Sequence, residues 1–381
     1  MGGWFSRIHF SAMNSNSDHI VGRRVSSSQK VLYAVVFIIA ICIVIFLLPS
    51  GQHDSQLMLL WEDFGYNTTY PATKPVWTPK GIQYCIGIVA DPDEKSKVEN
   101  KPNTWRSYLK VGHLTLSHDR DKAYVDWDEN VIELNTHLSE GGRGAELSEL
   151  IVFNGKLLTV DDRSGIIYEI IDNNLVPWAI LPDGDGRTPK GFKAEWMTIK
   201  DKVLYVGGLG KVWTTTTGVV VNDNPQHIKM VSPVGHVLHM NWANHYNAMM
   251  EAAGIYRPGY VIHESCNWSP YHSKWFFLPR RASKEKYDDQ EDEHRATNIM
   301  ITADSTFTNI NVRPIGPLQP THGFSSFRFI PKTKDTIVVA LKTEEDKGKI
   351  ASYIMVFNIN GDVLLDEVKI GDIKFEGFEF L

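Results

Sequence analysis

Past residue 66 the chain alternates short apolar runs with turn residues. IVFNGKLLTVDDRSGIIYEI, TIKDKVLYVGGLG, KWFFLPRR, TIVVALK and ASYIMVFNINGDVLL are rich in aliphatic and aromatic residues, broken mainly by Gly, Asn and Asp. This pattern predicts strands joined by tight turns. Helical periodicity is scarce and is best between Asn241 and Ala253. Many short strands with regular turns indicate a sandwich, a barrel or a propeller.

A repeat separates these three. Five times a Ser or Glu is followed by apolar residues at the second and fourth positions after it. The five markers are Ser148 (Leu150, Val152), Glu195 (Met197, Ile199), Glu264 (Cys266, Trp268), Ser325 (Phe327, Phe329) and Glu376 (Phe378, Phe380). Successive markers lie 47, 69, 61 and 51 residues apart. Repeats of about 40 to 50 residues, each a small antiparallel sheet, are the sequence form of propeller blades. Insertions such as residues 283–298 lengthen the period here. Five markers predict an all-β, five-bladed β-propeller. The fifth has too little chain after it to build a blade, whereas Tyr108–Leu134 is strand-rich and lacks a marker. A closing strand near the C-terminus is therefore expected to join N-terminal strands in one mixed blade, leaving no free edge.

Before residue 66 the pattern changes. Residues 31–48, VLYAVVFIIAICIVIFLL, carry no charge and are just long enough to cross a bilayer as a helix. Arg7, Arg23, Arg24 and Lys30 precede the run, while Asp54, Glu62 and Asp63 follow it. That asymmetry orients the N-terminus to the cytoplasm and the rest to the lumen or exterior. Two sequons, at Asn67 and Asn267, agree. The expected organisation is a cytoplasmic tail (1–30), one transmembrane signal-anchor (31–48), a luminal linker (49–77) and a propeller domain (78–381). Cys85 and Cys266 are the thiols beyond the anchor, and spacing leaves their pairing open.

Composition narrows the class. The 381 residues carry a net charge of −6, which argues against a nucleic-acid partner. A hydrophobic content of 43% excludes disorder, and three cysteines exclude a disulfide scaffold.

The innermost strand of each propeller blade lines the central channel. The markers would bring three carboxylates (Glu195, Glu264, Glu376) and two hydroxyls (Ser148, Ser325) to one axis. Carboxylates so placed repel unless a cation joins them, and an all-oxygen site suits Ca²⁺. Polar channel residues solvated by water would give the same pattern. Other motifs fall away. Asp91-Pro92-Asp93 begins like an EF-hand, but Ser96 and Pro102 stand where that loop needs Gly and Glu. Gly207–Lys211 lacks the first P-loop glycine and reads as a turn. No H-E-x-x-H or G-x-S-x-G occurs.

The runs GRGAELSELIVFNGKLLTVDDRSG, GFKAEW, VGGLGKVWTTTTG, HES, FFLPRRAS, PTHGFSSFRF and FEGFEF together resemble the calcium-activated nucleotidases, apyrases of the soluble calcium-activated type. The resemblance runs from about Thr78 to Leu381. It implies a five-bladed propeller with a central calcium, held by Ser148, Glu195, Glu264, Ser325 and Glu376, with Glu149 beside them. It implies calcium-dependent hydrolysis of nucleoside diphosphates, UDP and GDP foremost, and of triphosphates. It implies Asp91 and Asp93 to orient water and Arg280 to grip phosphate, with Asp161, Asp162 and Arg163 in an equivalent turn. Strand alternation expects only one of Arg280 and Arg281 on the site side. Trp105 and Trp213 are candidates to stack a base. The implied place is the endoplasmic reticulum or Golgi membrane, single-pass with a luminal catalytic domain, with a form secreted after proteolysis and a homodimer left open. A calcium-stabilised binding module without turnover and a nucleotide-sugar hydrolase are the alternatives.

Overall fold

The computed structural model describes residues 65–381. Twenty strands form five antiparallel meanders of four. Five of these strands, one per meander, carry or directly follow the markers. They are β1 (Leu147–Phe153), β2 (Trp196–Lys200), β3 (Tyr260–Ser269), β4 (His322–Phe329) and β5 (Phe375–Phe380). β1 to β4 each open a meander that runs outward in chain order. β5 instead pairs with Gly81–Ala90, Phe378 opposite Ile88, and that strand continues outward to Trp105–Leu116 and Ala123–Thr136. This is the mixed closing sheet expected from the sequence. It joins the β1 sheet through one parallel pair, Asn135 with Asn174.

The first strands touch in a closed order, β5 to β1, β2, β3, β4 and back to β5. Cores lie between neighbouring sheets. Ile86, Ile88 and Phe378 meet Val339, Leu341 and Ile354, and farther round Phe276 and Leu278 meet Phe324 and Phe327. Trp196, Trp242, Trp275 and Phe277 fill the gap between the β2 and β3 sheets. A ring of first strands with a core in each gap is consistent with a propeller. It also explains two patterns of burial. β1 and β5 are buried at every position, Ser148, Glu149, Glu376 and Glu379 included, whereas the outermost Ala123–Thr136 alternates exposed and covered residues. The expected helix is α1, Ala243–Ala252.

Four of the marker strands are bulged where the marker stands. Leu147 and Glu149 pair with Asp161 and Val160, leaving Ser148 as the extra residue. Ser325 and Glu376 are extra in the same way, and Glu264 with Ser265 opposes Leu278 alone. A bulge re-aims its extra side chain. Strict alternation would put each marker on the same face as the apolar residues two and four positions on; the bulge frees it from that face.

The expected localisation is corrected by the described chain. No helix there is long and apolar enough to cross a membrane. The ten residues of α1 span about 15 Å, half of a hydrocarbon core of about 30 Å. The apolar run 31–48 lies outside the described residues. Residues 65–75, placed in the expected linker, pack on the propeller-like body: Tyr66 edges onto Phe153, and the Tyr70 hydroxyl donates to Glu379 at 2.7 Å. Asn267 is buried and its amide nitrogen, the atom a glycan would need, donates to the Phe327 carbonyl. Cys85 and Cys266 are both free thiols.

Candidate active site

The N-terminal ends of β2, β3 and β5 open into a cavity of about 460 Å³; Ser148 and Ser325 do not line it, and the Ser325 hydroxyl lies 3.4 Å from the Phe375 carbonyl. Asp91 reaches it from the end of Gly81–Ala90, and a short 3-10 helix, Asp93–Ser96, follows. Glu195, Glu264 and Glu376 line it, as do Asp162, Arg280 and Arg281. Both arginines are present because Lys274–Ser283 is itself bulged. Ile262 pairs with Arg281 and His263 with Pro279, so Arg280 is the extra residue and the alternation expected of the pair is broken.

Arg280 is the hub. Its guanidinium donates to Glu264, to Glu376 at 2.7 Å and to Glu345. Burial opposes its charge, yet these carboxylates hold its pKa well above the ordinary value. In return, against the cost of burial, Arg280 and Lys374 hold Glu345 down to about 2. Lys374 Nζ lies 2.6 Å from Asp91, 3.2 Å from Asp93 and 3.7 Å from Glu376. Burial pushes the Asp91 carboxyl up, but Lys374 outweighs it and keeps Asp91 below its usual range. Lys193 bridges Asp162 and Glu195, 2.8 Å from the latter. Burial, reinforced by Glu264 and Asp162, still pushes Glu195 up to about 8, and burial likewise drives Glu376 well above its ordinary value.

The other expected residues fall elsewhere. Asp161 accepts backbone N–H groups of Ala145, Arg163 and Ser164, so its carboxylate shapes the turn that presents Asp162. Arg163 reaches Glu140 at 3.7 Å. Glu149 does not line the cavity. It is fully buried on the other side of β1, where it accepts from Ser326 at 2.8 Å and from Arg328. Asp93 joins a group the sequence did not single out, since its carboxylate, that of Asp91 and that of Glu146 lie within 4.8 Å of one another, with Arg143 on Glu146 and Asp93. Trp105 is buried with its Nε1 on the Gly142 carbonyl, whereas Trp213 lines the cavity beneath Lys190, 4.9 Å from its ring.

Lys193, Lys374 and Glu146 were missed, yet each sits two residues before a marker: Lys-Ala-Glu195, Lys-Phe-Glu376 and Glu-Leu-Ser148. Asp289, Asp292 and Glu293 of the cavity come from the insertion after residue 283.

The donor set can be tested for a metal. Five markers offer three carboxylates and two hydroxyls, all oxygen, as a hard cation requires. The Ser148 hydroxyl is buried with no hydrogen-bond partner, as is Oδ1 of Asp162. Around the cavity stand nine carboxylates and five cationic side chains. Unpartnered oxygens and an excess of acids fit a divalent cation.

Residues 92–381 match the protein-family model described as Apyrase. This chain belongs to the apyrase family. It is 57% identical over 316 residues to soluble calcium-activated nucleotidase 1 of Rattus norvegicus, covering 83% of this chain and 78% of that one. It is 47% identical over 302 residues to apyrase apy-1 of Caenorhabditis elegans, covering 78% and 84%, and 42% identical over 317 residues to an apyrase of Cimex lectularius, covering 83% and 87%. The match spans every residue that lines the cavity except Asp91.

Proposed function

We propose that the chain is a five-bladed β-propeller that holds Ca²⁺ through Ser148, Glu195, Glu264, Ser325 and Glu376 and hydrolyses nucleoside diphosphates, UDP and GDP foremost, and triphosphates. The products are a nucleotide one phosphate shorter and orthophosphate. Family membership and the names of the relatives support nucleotide phosphate hydrolysis. The observation that carries the calcium is the cavity's surplus of carboxylates over cations, which would repel a nucleotide's phosphates without a divalent ion. Bound calcium supplies positive charge to phosphate oxygens and acidity to water.

The chain's own residues do the rest. Arg280, whose planar fork suits phosphate, and Lys374 and Lys193 offer donors to the transferred phosphoryl group. Asp91, kept ionised by Lys374, and Asp162, with Oδ1 free, orient a water against phosphorus. The water oxygen bonds to phosphorus, its proton passes to Asp162 Oδ1, and the bond to the bridging oxygen breaks with its electron pair staying on the shorter nucleotide.

Phosphate release from UDP, GDP, ADP and their triphosphates, and UMP release from UDP-glucose, whose cleavage gives UMP and glucose 1-phosphate, each measured with calcium and with chelator, test this. Calcium-dependent release from diphosphates is expected. No release from any substrate would leave a binding module, and cleavage of UDP-glucose above UDP would point to nucleotide sugars.

A further inference from the structure

A second cavity, of about 410 Å³, adjoins the first and shares Lys211, Thr214 and Tyr287 with it. Its chemistry is the opposite. Tyr246, Tyr260 and Tyr287 give it aromatic walls, and Met250 of α1 and Val261 of β3 add apolar surface. Lys211, Arg257 and Lys286 line it, and no carboxylate does. Among the described residues none of these three cations makes an ion pair. Lys211 donates instead to Thr214 Oγ1 at 2.8 Å and stands 4.1 Å over the Tyr287 ring. At the back lies His263, 1% exposed, whose Nδ1 has no hydrogen-bond partner.

Aromatic walls, an unsatisfied buried imidazole and unpaired cations at the mouth describe a host for a planar ring that carries an anion. The acid-rich cavity needs a metal before it can accept phosphate; this one does not. Its volume lies within the range of small-ligand pockets, roughly 300 to 1,000 Å³. We propose that this second cavity binds a nucleoside monophosphate without metal, the ring among the tyrosines and the phosphate on Arg257, Lys286 and Lys211. The choice of a nucleotide rests on the reading of the chain as a nucleotidase, whose product such a molecule is. Because the occupant leans on Lys211 and Tyr287, which also wall the first cavity, bound product would hinder entry of the next substrate.

The test is calorimetric titration of the full chain in chelator with UMP, GMP, uridine and inorganic phosphate. Either monophosphate is expected to bind at least about tenfold more tightly than uridine and phosphate, since both halves of the site are then used. The double variant Arg257→Ala/Lys286→Ala alters two exposed side chains and should lose about tenfold or more of that affinity. In calcium it should hydrolyse UDP within about twofold of the parent while product inhibition by UMP weakens by a similar tenfold. No binding of either monophosphate in chelator, or binding that the double variant leaves unchanged, overturns the proposal. Metal-free UMP binding by a protein that hydrolyses nothing would remove the nucleotidase reading and leave this site standing.

Discussion

Arg280 shows how much one guanidinium can organise. It is buried among Glu264, Glu345 and Glu376, and only a fork of several fixed N–H groups can serve three carboxylates at once. Lysine at this position keeps the charge and loses the geometry. Arg280→Lys should therefore fold, yet its kcat/KM for UDP should fall about tenfold or more, equivalent to ~1.4 kcal/mol in the transition state. Arg281 shares the cavity but spends its donors on the Glu293 carbonyl, with its Nε 3.8 Å from Asp292, so Arg281→Lys should cost no more than about threefold. Steady-state kinetics on the two variants decides the matter. Equal, mild losses would show that neither side chain grips phosphate.

Among the elements, β4 and Lys274–Ser283 meet at a point that admits no side chain. A Cβ on Gly323 would lie 2.4 Å from Arg280 Cγ and 2.9 Å from the Arg280 carbonyl oxygen. The carbonyl cannot swing away as a side chain can, so Gly323→Ala should shift the bulge that aims Arg280. We expect a stability loss of about 1–3 kcal/mol by urea denaturation together with a drop in UDP turnover. Full activity at reduced stability would uncouple the strand from the site. The same elements show what could be read from residues alone. Period-two runs such as Phe378 and Phe380 announced the strands, and the five markers announced the ring. The bulges show only as a local break in that period: Leu147 and Leu150, Phe324 and Phe327, and Phe375 and Phe378 share a core although three residues apart, with the marker between them. Glu149 was misplaced because it sits beside a marker in sequence but on the opposite face of β1, against Arg328. Lys193 and Lys374 escaped notice because the position two before the marker is Lys in two repeats but Glu, Ile and Gly in the others.

At the scale of the whole molecule, the proposed calcium ligands come one from each of the five first strands or the residue just before it, so a bound ion would tie all sheets together. A ligand held only by the folded state stabilises it by mass action, about 2.7 kcal/mol at a hundred times its Kd. Melting temperature should rise with calcium, and in Glu195→Gln most of that rise should vanish, with activity partly restored by excess calcium. An unchanged calcium titration of the melt would remove Glu195 from the ligand set. The ring also has consequences for its own making. Ile86 pairs with Phe380, so Gly81–Ala90 emerges from the ribosome nearly three hundred residues before the strand that covers its inner edge. At about 5–20 residues per second that edge stands open for roughly 15 to 60 s. Nascent chains should thus be most open to mispairing and chaperone capture through this one strand, and any circular permutation that makes β5 and Gly81–Ala90 neighbours in the chain should shorten that exposure.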